Sequence, residues 1–423
     1  MNNAFLKSYQ TLAEVYGNGA FSSLTLNKTL TFCKSQDKAL ITKIVYGVLD
    51  NDLKLGYIIS RYVKKMPKGD ALIYLKIGVY CLTELAIPPY AAVNDTVELS
   101  KLSGDKYVVG FVNATLKKIA QNVKSFDDYP ADELENLSVR YSYPLWALKK
   151  LVKDYGRQTA EQIVSFQSEH GQNVRFVNRV GKDTVEREFG CKAQTTPFDD
   201  AFTVYGGTLK QSGEYTAQSL SSMAVARICA EKLGGGRFLD CCSAPGGKAV
   251  YVKQLCPEAE VTACDVHPHR TELINKYAER MGVNLSVVCK DMTQYDEQLD
   301  GAFDVVLCDV PCSGFGVLDN RPDIKLFRQN KDIGELMKLQ YAILSNCARY
   351  VKKGGYLVYS TCTVFDNENG QNVRKFLKEH DGFNYGAIRL AEFPNADGAN
   401  YYQFLPHKDG VQGFFVAVLK RAE

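Results

Sequence analysis

The sequence predicts a multidomain protein: an all-α bundle, then a small α+β segment, then a doubly wound α/β domain on a parallel sheet. Three observations carry this. At 423 residues the chain is too long for a single core. Residues 1–125 place apolar side chains three and four apart, the spacing of helices. From Gly236 onward, short apolar runs alternate with helical segments, which marks parallel strands joined by crossover helices.

In the first 125 residues, Ala39–Val63 has helical spacing and Ala71–Ala86 is a strongly apolar helix ended by Pro88 and Pro89. A third helix is expected after Asn94, a good N-cap, and a fourth over Phe111–Ala120. This region carries 16 Lys+Arg against 9 Asp+Glu, a balance of +7 within a chain whose net charge is only +3. A basic module favours a polyanionic partner through counterion release, although a lysine-rich solvated surface accounts for the charge equally well. Gln121–Asn136, polar and acid-rich with Pro130, reads as a linker. The expected boundaries are 1–125 for the bundle, 126–139 for the linker, 140–235 for the small α+β subdomain and 236–423 for the α/β core.

Within the subdomain, RYSYPLWALKKLVKDYG (140–156) reads as a Pro-started helix. NVRFVNRV (173–180) alternates like an edge strand. Its Arg175 and Arg179 could hold single-stranded RNA by stacking and phosphate contact, or the stretch could be a core strand.

Composition excludes several classes. Apolar residues make up 45% and charged residues 23%, as in ordinary globular proteins. The opening MNNAFLKSYQ lacks a signal peptide's apolar core, and no 18-residue apolar run exists, so a cytoplasmic protein without membrane contact is expected. The 13 cysteines form no C-x-x-C pair, and His170, His267, His269, His380 and His407 do not stand at metal-ligand spacing from them. No metal is expected; the cysteines read as reduced core residues.

The α/β half holds the chemistry. RFLDCC (237–242) runs into the Gly-rich turn SAPGGKA, which suits backbone N–H groups approaching an anionic ligand at a helix terminus. It is neither a G-x-G-x-x-G fingerprint nor a P-loop. Glu260–Cys264 ends in Asp265, Leu285–Cys289 is followed by Asp291, and Phe303–Cys308 by Asp309. A Gly-rich loop and three acids at successive strand ends suit a nucleoside-bearing cofactor, since ligands bind beyond the carboxyl ends of such sheets. A long helix from Lys331, a stop at KKGG (352–355), a strand at Tyr356–Ser360, a helix over Glu368–Glu379 and a last strand at 413–421 follow. Cys312 and Cys362 lie just past two consecutive strands, where both thiols could border one pocket. Thiolates add readily to electron-poor carbon, including C6 of a pyrimidine. Residue patterns alone do not decide which of the two attacks.

DCCSAPGGK (240–248), CDVHPHR (264–270), KD (290–291), DVPCSG (309–314), STCT (360–363) and GFF (413–415) resemble the Sun/Fmu-type RNA cytosine-5 methyltransferases. NDTVELSK (94–101) and GFVNATLKK (110–118) resemble the NusB-type RNA-binding bundle. The resemblance implies a Rossmann-like class I methyltransferase core. It implies S-adenosyl-L-methionine as cofactor and small-subunit ribosomal RNA as partner; a monomer is expected, although the residues themselves are silent on oligomeric state. It implies transfer of a methyl group to C5 of a specific cytidine in 16S rRNA. By the same resemblance Cys242, Ser243, Ala244, Pro245, Gly246, Gly247 and Lys248 would hold the methionine end, Asp265 the ribose and Asp291 the adenine, with Arg270 and Asp309 completing the cofactor set. Cys362 would attack C6, Asp309 would contact the base, and Cys312 would assist proton loss and product release, with the target base unstacked into the pocket. Val310, Thr363, Ser243, Leu326 and Gln218-Ser219 depart from the family's common residues without removing a reacting group. Analogy to DNA cytosine-5 enzymes, with their Pro-Cys nucleophile, would give the attack to Cys312 instead. The same chemistry on tRNA, or an inert RNA-binding scaffold of the antitermination type, are the alternatives.

Overall fold

The computed structural model describes residues 2–122, 126, 128–166, 171–206 and 209–423. Part of the expected linker (123–125 and 127) and His170 lie outside them. The chain divides into two compact units, Met1–Ser165 with Leu318–Gln329, and Phe166–Val317 with Asn330–Glu423.

The first unit is helical. Its centre is the helix Asp70–Thr83, in which every residue from Ile73 to Leu82 is buried. An all-round apolar helix must be enclosed. Asn3–Asn18, Ser35–Asp50, Asp52–Ser60, Pro89–Ser100 and Lys106–Asn122 contribute Leu12, Val45, Ile59, Ala92 and Leu116 to the same core. The expected single stretch over Ala39–Val63 is two helices, broken at Asn51. The third helix begins at Pro89 rather than after Asn94: Pro89 occupies the first turn, where its missing N–H costs nothing, so the proline pair starts one helix as well as ending another. Lys76, buried in the central helix, pairs with Asp52 and lies over the ring of Tyr16. Glu133–Arg140, Leu145–Tyr155 and Arg157–Ser165 complete the run of helices. The segment Leu318–Gln329, although far along the chain, belongs to this unit: Ser22 Oγ donates to the buried Asp323 carboxylate, and Leu326 packs on the helical core.

The second unit holds two sheets. The smaller has four antiparallel strands, β1 (Gln172–Phe176), β2 (Lys192–Thr195), β3 (Ala201–Tyr205) and β4 (Tyr215–Ala217), in the order β2-β3-β1-β4. The stretch expected at an edge is therefore an inner strand, paired on both sides. In the larger sheet, β5 (Arg237–Asp240), β6 (Glu260–Asp265), β7 (Ser286–Cys289), β8 (Phe303–Asp309) and β9 (Val351–Thr361) are parallel. Beyond β9, β10 (Phe383–Tyr385), β11 (Tyr401–Phe404) and β12 (Phe414–Arg421) add an antiparallel flank. The strand order β10-β12-β9-β8-β5-β6-β7 reverses direction between β5 and β8, the crevice position of doubly wound folds.

Phe238, Val305, Leu307 and Val358 face one apolar layer with the helices Leu220–Leu233 and Gly247–Leu255; Leu239, Val306, Leu357 and Tyr359 face the other, with Asn330–Cys347 and Gly370–Glu379. Burial on both faces explains the near-continuous apolar runs. KKGG is not a helix stop but the opening of β9, since the helix before it ends at Cys347. No helix among the described residues is long and apolar enough to cross a membrane.

Candidate active site

β8 and β9 are hydrogen-bonded neighbours in register Asp309↔Ser360, so whatever follows them leaves the sheet at one place. Cys312 Sγ and Cys362 Sγ lie 3.1 Å apart there. Two glycines make the approach possible. Gly316 N–H donates to the Cys362 carbonyl at 2.9 Å and its own carbonyl accepts Gly413 N–H at 2.8 Å; a Cβ on Gly316 would stand 1.8 Å from the Gly413 oxygen.

Asp309, at the tip of β8, accepts Lys248 Nζ at 2.6 Å and Ser360 Oγ at 2.8 Å. Burial opposes the Lys248 charge, but the Asp309 carboxylate outweighs it and raises the pKa of the ammonium. Lys248 also lies over the Phe414 ring, 5.1 Å from its centre, and is close enough to Cys362 to feel its charge. The Cys312 thiol is pushed well up by its hydrogen bond with Cys362, by burial, and by the charges of Cys362 and Glu368. A cation thus faces one sulfur and an anion the other.

The Gly-rich loop joins β5 to the helix Gly247–Leu255. Ser243 N–H donates to the Cys264 carbonyl at 2.8 Å, Gly246 N–H to the Ser243 carbonyl at 2.7 Å, and the Ala244–Pro245 peptide is cis. Gly246 has φ +104°, which a side chain would strain, and a Cβ there would come within 3.2 Å of Ile274. Two polar atoms at this loop, Ser243 Oγ and Asp240 Oδ1, are buried without a hydrogen-bond partner. Ser243 sits near enough to favour the Asp240 charge but outside hydrogen-bond geometry. Buried polar atoms left unmatched beside a helix N-terminus fit a polar ligand that supplies their partners. Asp240 itself is 1% exposed, and burial together with Asp309 pushes its carboxyl up to about 7.

At the tip of β6, Asp265 accepts His267 N–H at 3.2 Å and stands 3.5 Å from Arg270 Nε, while Arg270 also reaches the Ala244 carbonyl. Asp265 is 3% exposed, and Arg270 bridges it to the loop. Asp291, after β7, is exposed, with one oxygen taken by the N–H and hydroxyl of Thr293. Cys242, beside Ser243 in the loop, is half-buried with its thiol pushed well up by burial. The loop, Asp265, Asp309, Cys312 and Cys362 thus stand at the carboxyl ends of four adjacent strands.

Arg175 corrects a reading: it is 1% exposed and cannot reach RNA. Its Nε donates to Gln218 Oε1 at 2.8 Å, it bonds Gln254, and its guanidinium stacks 4.1 Å from the Tyr251 ring. Gln218 Nε2 in turn donates to the Gly247 carbonyl at 3.3 Å, so the polar residue ahead of the core braces the loop. Arg179 is the exposed member and pairs with Asp199.

All 13 cysteines are free. Among the described residues, Cys241, Cys308 and Cys347 bring their sulfurs within 4.8 Å of one another, a cluster that linear spacing could not reveal because its members come from three elements. They lie in the apolar layer under the sheet. Burial pushes the Cys241 thiol up, while hydrogen bonds from its two neighbours draw Cys347 down; in an apolar layer desolvation prevails, and the three are neutral thiols.

Comparisons agree with this architecture. Residues 231–420 match the model of the 16S rRNA methyltransferase RsmB/F family, and residues 6–121 match the NusB family. A probable ribosomal RNA small subunit methyltransferase B of Bacillus subtilis (strain 168) is 32% identical over 438 aligned positions, covering 97% of both chains. The ribosomal RNA small subunit methyltransferase B of Citrobacter koseri is 30% identical over 97% of both. Among solved structures, PH0851 superposes with TM-score 0.80 at 21% identity, covering 100% of this chain and 99% of that one. NSun6 from Pyrococcus horikoshii, solved with SFG, gives TM-score 0.55 at 19% identity, covering 65% and 97%. At those identities the structures speak to the fold.

Proposed function

Because this chain belongs to the ribosomal RNA small subunit methyltransferase B family, we propose that it methylates C5 of one cytidine in 16S rRNA through a covalent Cys362–C6 bond. S-adenosylmethionine-dependent RNA methyl transfer is the activity of the family; the base, the atom and the thiol are the proposal. The observation that carries it is the 3.1 Å approach of two thiols between a cation and an anion.

Bound S-adenosylmethionine supplies an electrophilic methyl group. Ser243, Gly246 and Gly247, with the partnerless Asp240 oxygen below them, would hold its methionine end; Asp265, steadied by Arg270, would take the ribose hydroxyls, and Asp291 offers its remaining oxygen to the base. Asp309, fixed by Lys248 and Ser360, would hold the N3/N4 edge of an unstacked cytosine. The Lys248 ammonium lies near enough to Cys362 for the two to interact. Attack of the Cys362 sulfur on C6 forms the S–C6 bond and moves the C5=C6 π pair onto C5, which becomes nucleophilic. Once C5 is methylated, Cys312, its own proton first given up to solvent, takes the C5 proton; the C–H electrons restore C5=C6 as the S–C6 bond breaks and Cys362 leaves as thiolate. The alternative attack by Cys312 is disfavoured because Glu368 opposes its ionisation.

Labelled methyl transfer to unmodified transcripts tests this. One bisulfite-resistant cytosine in 16S rRNA is expected. Incorporation that bisulfite does not protect would exclude C5, label confined to tRNA would move the substrate, and no incorporation with any RNA would favour the scaffold.

A further inference from the structure

Glu368 lies in a polar run, DNENGQN, that suggests a solvated turn, yet its side chain is 0% exposed. Its Oε2 accepts the Ser313 backbone N–H at 2.9 Å and Gln340 Nε2 at 2.8 Å; its Oε1 accepts the Ser313 hydroxyl at 2.6 Å. Ser313 Oγ is 2.7 Å from Thr363 Oγ1. Ser313 follows Cys312 and Thr363 follows Cys362, so one carboxylate ties the two thiol-bearing loops together. The tie is itself anchored: the Glu368 carbonyl accepts Tyr359 Oη at 2.6 Å, and Gln340 Nε2 also reaches the Pro311 carbonyl at 2.9 Å.

We propose that Glu368 is a positioning residue for the methyl transfer, whose carboxylate clamps the loops of Cys312 and Cys362 so that both sulfurs meet over one base. The inference rests on the reading of those thiols given above. A carboxylate suits the task because it accepts several hydrogen bonds at once and, held by them, tolerates burial. The clamp is also an anion. Cys312 faces Cys362, Glu368 and Tyr359, whereas Cys362 faces Cys312 and the ammonium of Lys248, itself paired with Asp309. The negative charge at Glu368 therefore adds to the hydrogen bond with Cys362 and to burial in raising the Cys312 thiol.

Two substitutions separate geometry from charge. Glu368→Gln can keep its oxygen on the two N–H donors and turn its amide toward Ser313 Oγ, which still donates to Thr363; the clamp survives and the charge is lost. Glu368→Ala loses both. In the full-length chain, Glu368→Gln should retain kcat within about tenfold, and iodoacetamide should alkylate Cys312 about one pH unit lower than in the unmodified chain, read by peptide mass mapping. Glu368→Ala should lose kcat by about 10²-fold, the cost of an ångström-scale misplacement, with KM for S-adenosylmethionine unchanged. An alkylation profile unchanged in Glu368→Gln, or full kcat in Glu368→Ala, would overturn the proposal; should the alanine variant not fold, the glutamine profile decides alone. Alkylation needs neither RNA nor cofactor, so a shifted profile in a chain that forms no covalent RNA adduct would sink the mechanism and leave the clamp standing.

Discussion

Asp240→Asn should remove most of the catalytic unit's loss of stability between acid and alkaline pH. Asp240 is buried at the end of β5, with its carboxyl pushed from 3.8 up to about 7, first by burial and then by Asp309. The folded chain therefore holds a proton that the unfolded chain releases in this interval. A raised acid pKa makes the folded state more stable below the unfolded value and progressively less so as pH climbs toward the folded one. Some three pH units at 1.36 kcal/mol each amount to about 4 kcal/mol, of which roughly 2.5 kcal/mol falls between pH 5 and pH 8. Asparagine is neutral in both states and lacks this dependence. The assay is hydrogen exchange of β5 and β8 peptides across a urea gradient, without cofactor, because the sole tryptophan, Trp146, lies in the other unit. The unmodified chain should lose roughly 2.5 kcal/mol more than the variant between those pH values. Equal pH dependence, or a relative gain in the unmodified chain, would refute the reasoning.

Lys248→Met should lower the stability of the catalytic unit by about 3 kcal/mol, since it leaves the part-buried Asp309 carboxylate without its cation. It should also slow adduct formation with RNA, as followed by gel shift under denaturing conditions. Arg175→Ala should cost about 3 kcal/mol by chemical unfolding. It should raise KM for S-adenosylmethionine without lowering kcat at saturation, because Gln218 loses its support under Gly247. Gly316→Ala cannot be accommodated against the Gly413 backbone and should cost about 3 kcal/mol or more, with adduct formation lost even where the fold survives, as circular dichroism and gel shift would record.

The parallel core could be read in advance because strands buried on both faces are written as uninterrupted apolar runs, and because each ends in an acid or a turn at the sheet edge. The meeting of Cys312 with Cys362 was readable for a less secure reason. Consecutive strands in a doubly wound sheet need not be neighbours, and β5, not β7, lies beside β8. Where chemistry depends on three-dimensional enclosure, linear reading failed. Arg175 occupies an alternating strand among aromatics, a pattern shared by RNA-stacking faces; only the packing of Tyr251 and Gln254 shows that it faces inward. Glu368 sits in a hydrophilic run whose burial depends on Gln340, 28 residues earlier, and on Ser313, 55 residues earlier. KKGG carries the residues of a helix stop, yet begins an 11-residue strand whose pairing with β8 shifts register between Phe303 and Val305.

The central claim is that Cys362 makes the bond to the base and Cys312 releases it. Incubating the two alanine variants with 16S rRNA and S-adenosylmethionine, then resolving protein from RNA under denaturing conditions, tests this most directly. Cys312→Ala should accumulate a covalent protein–RNA species, and Cys362→Ala should form neither that species nor methylated product. An adduct trapped by Cys362→Ala would contradict the account.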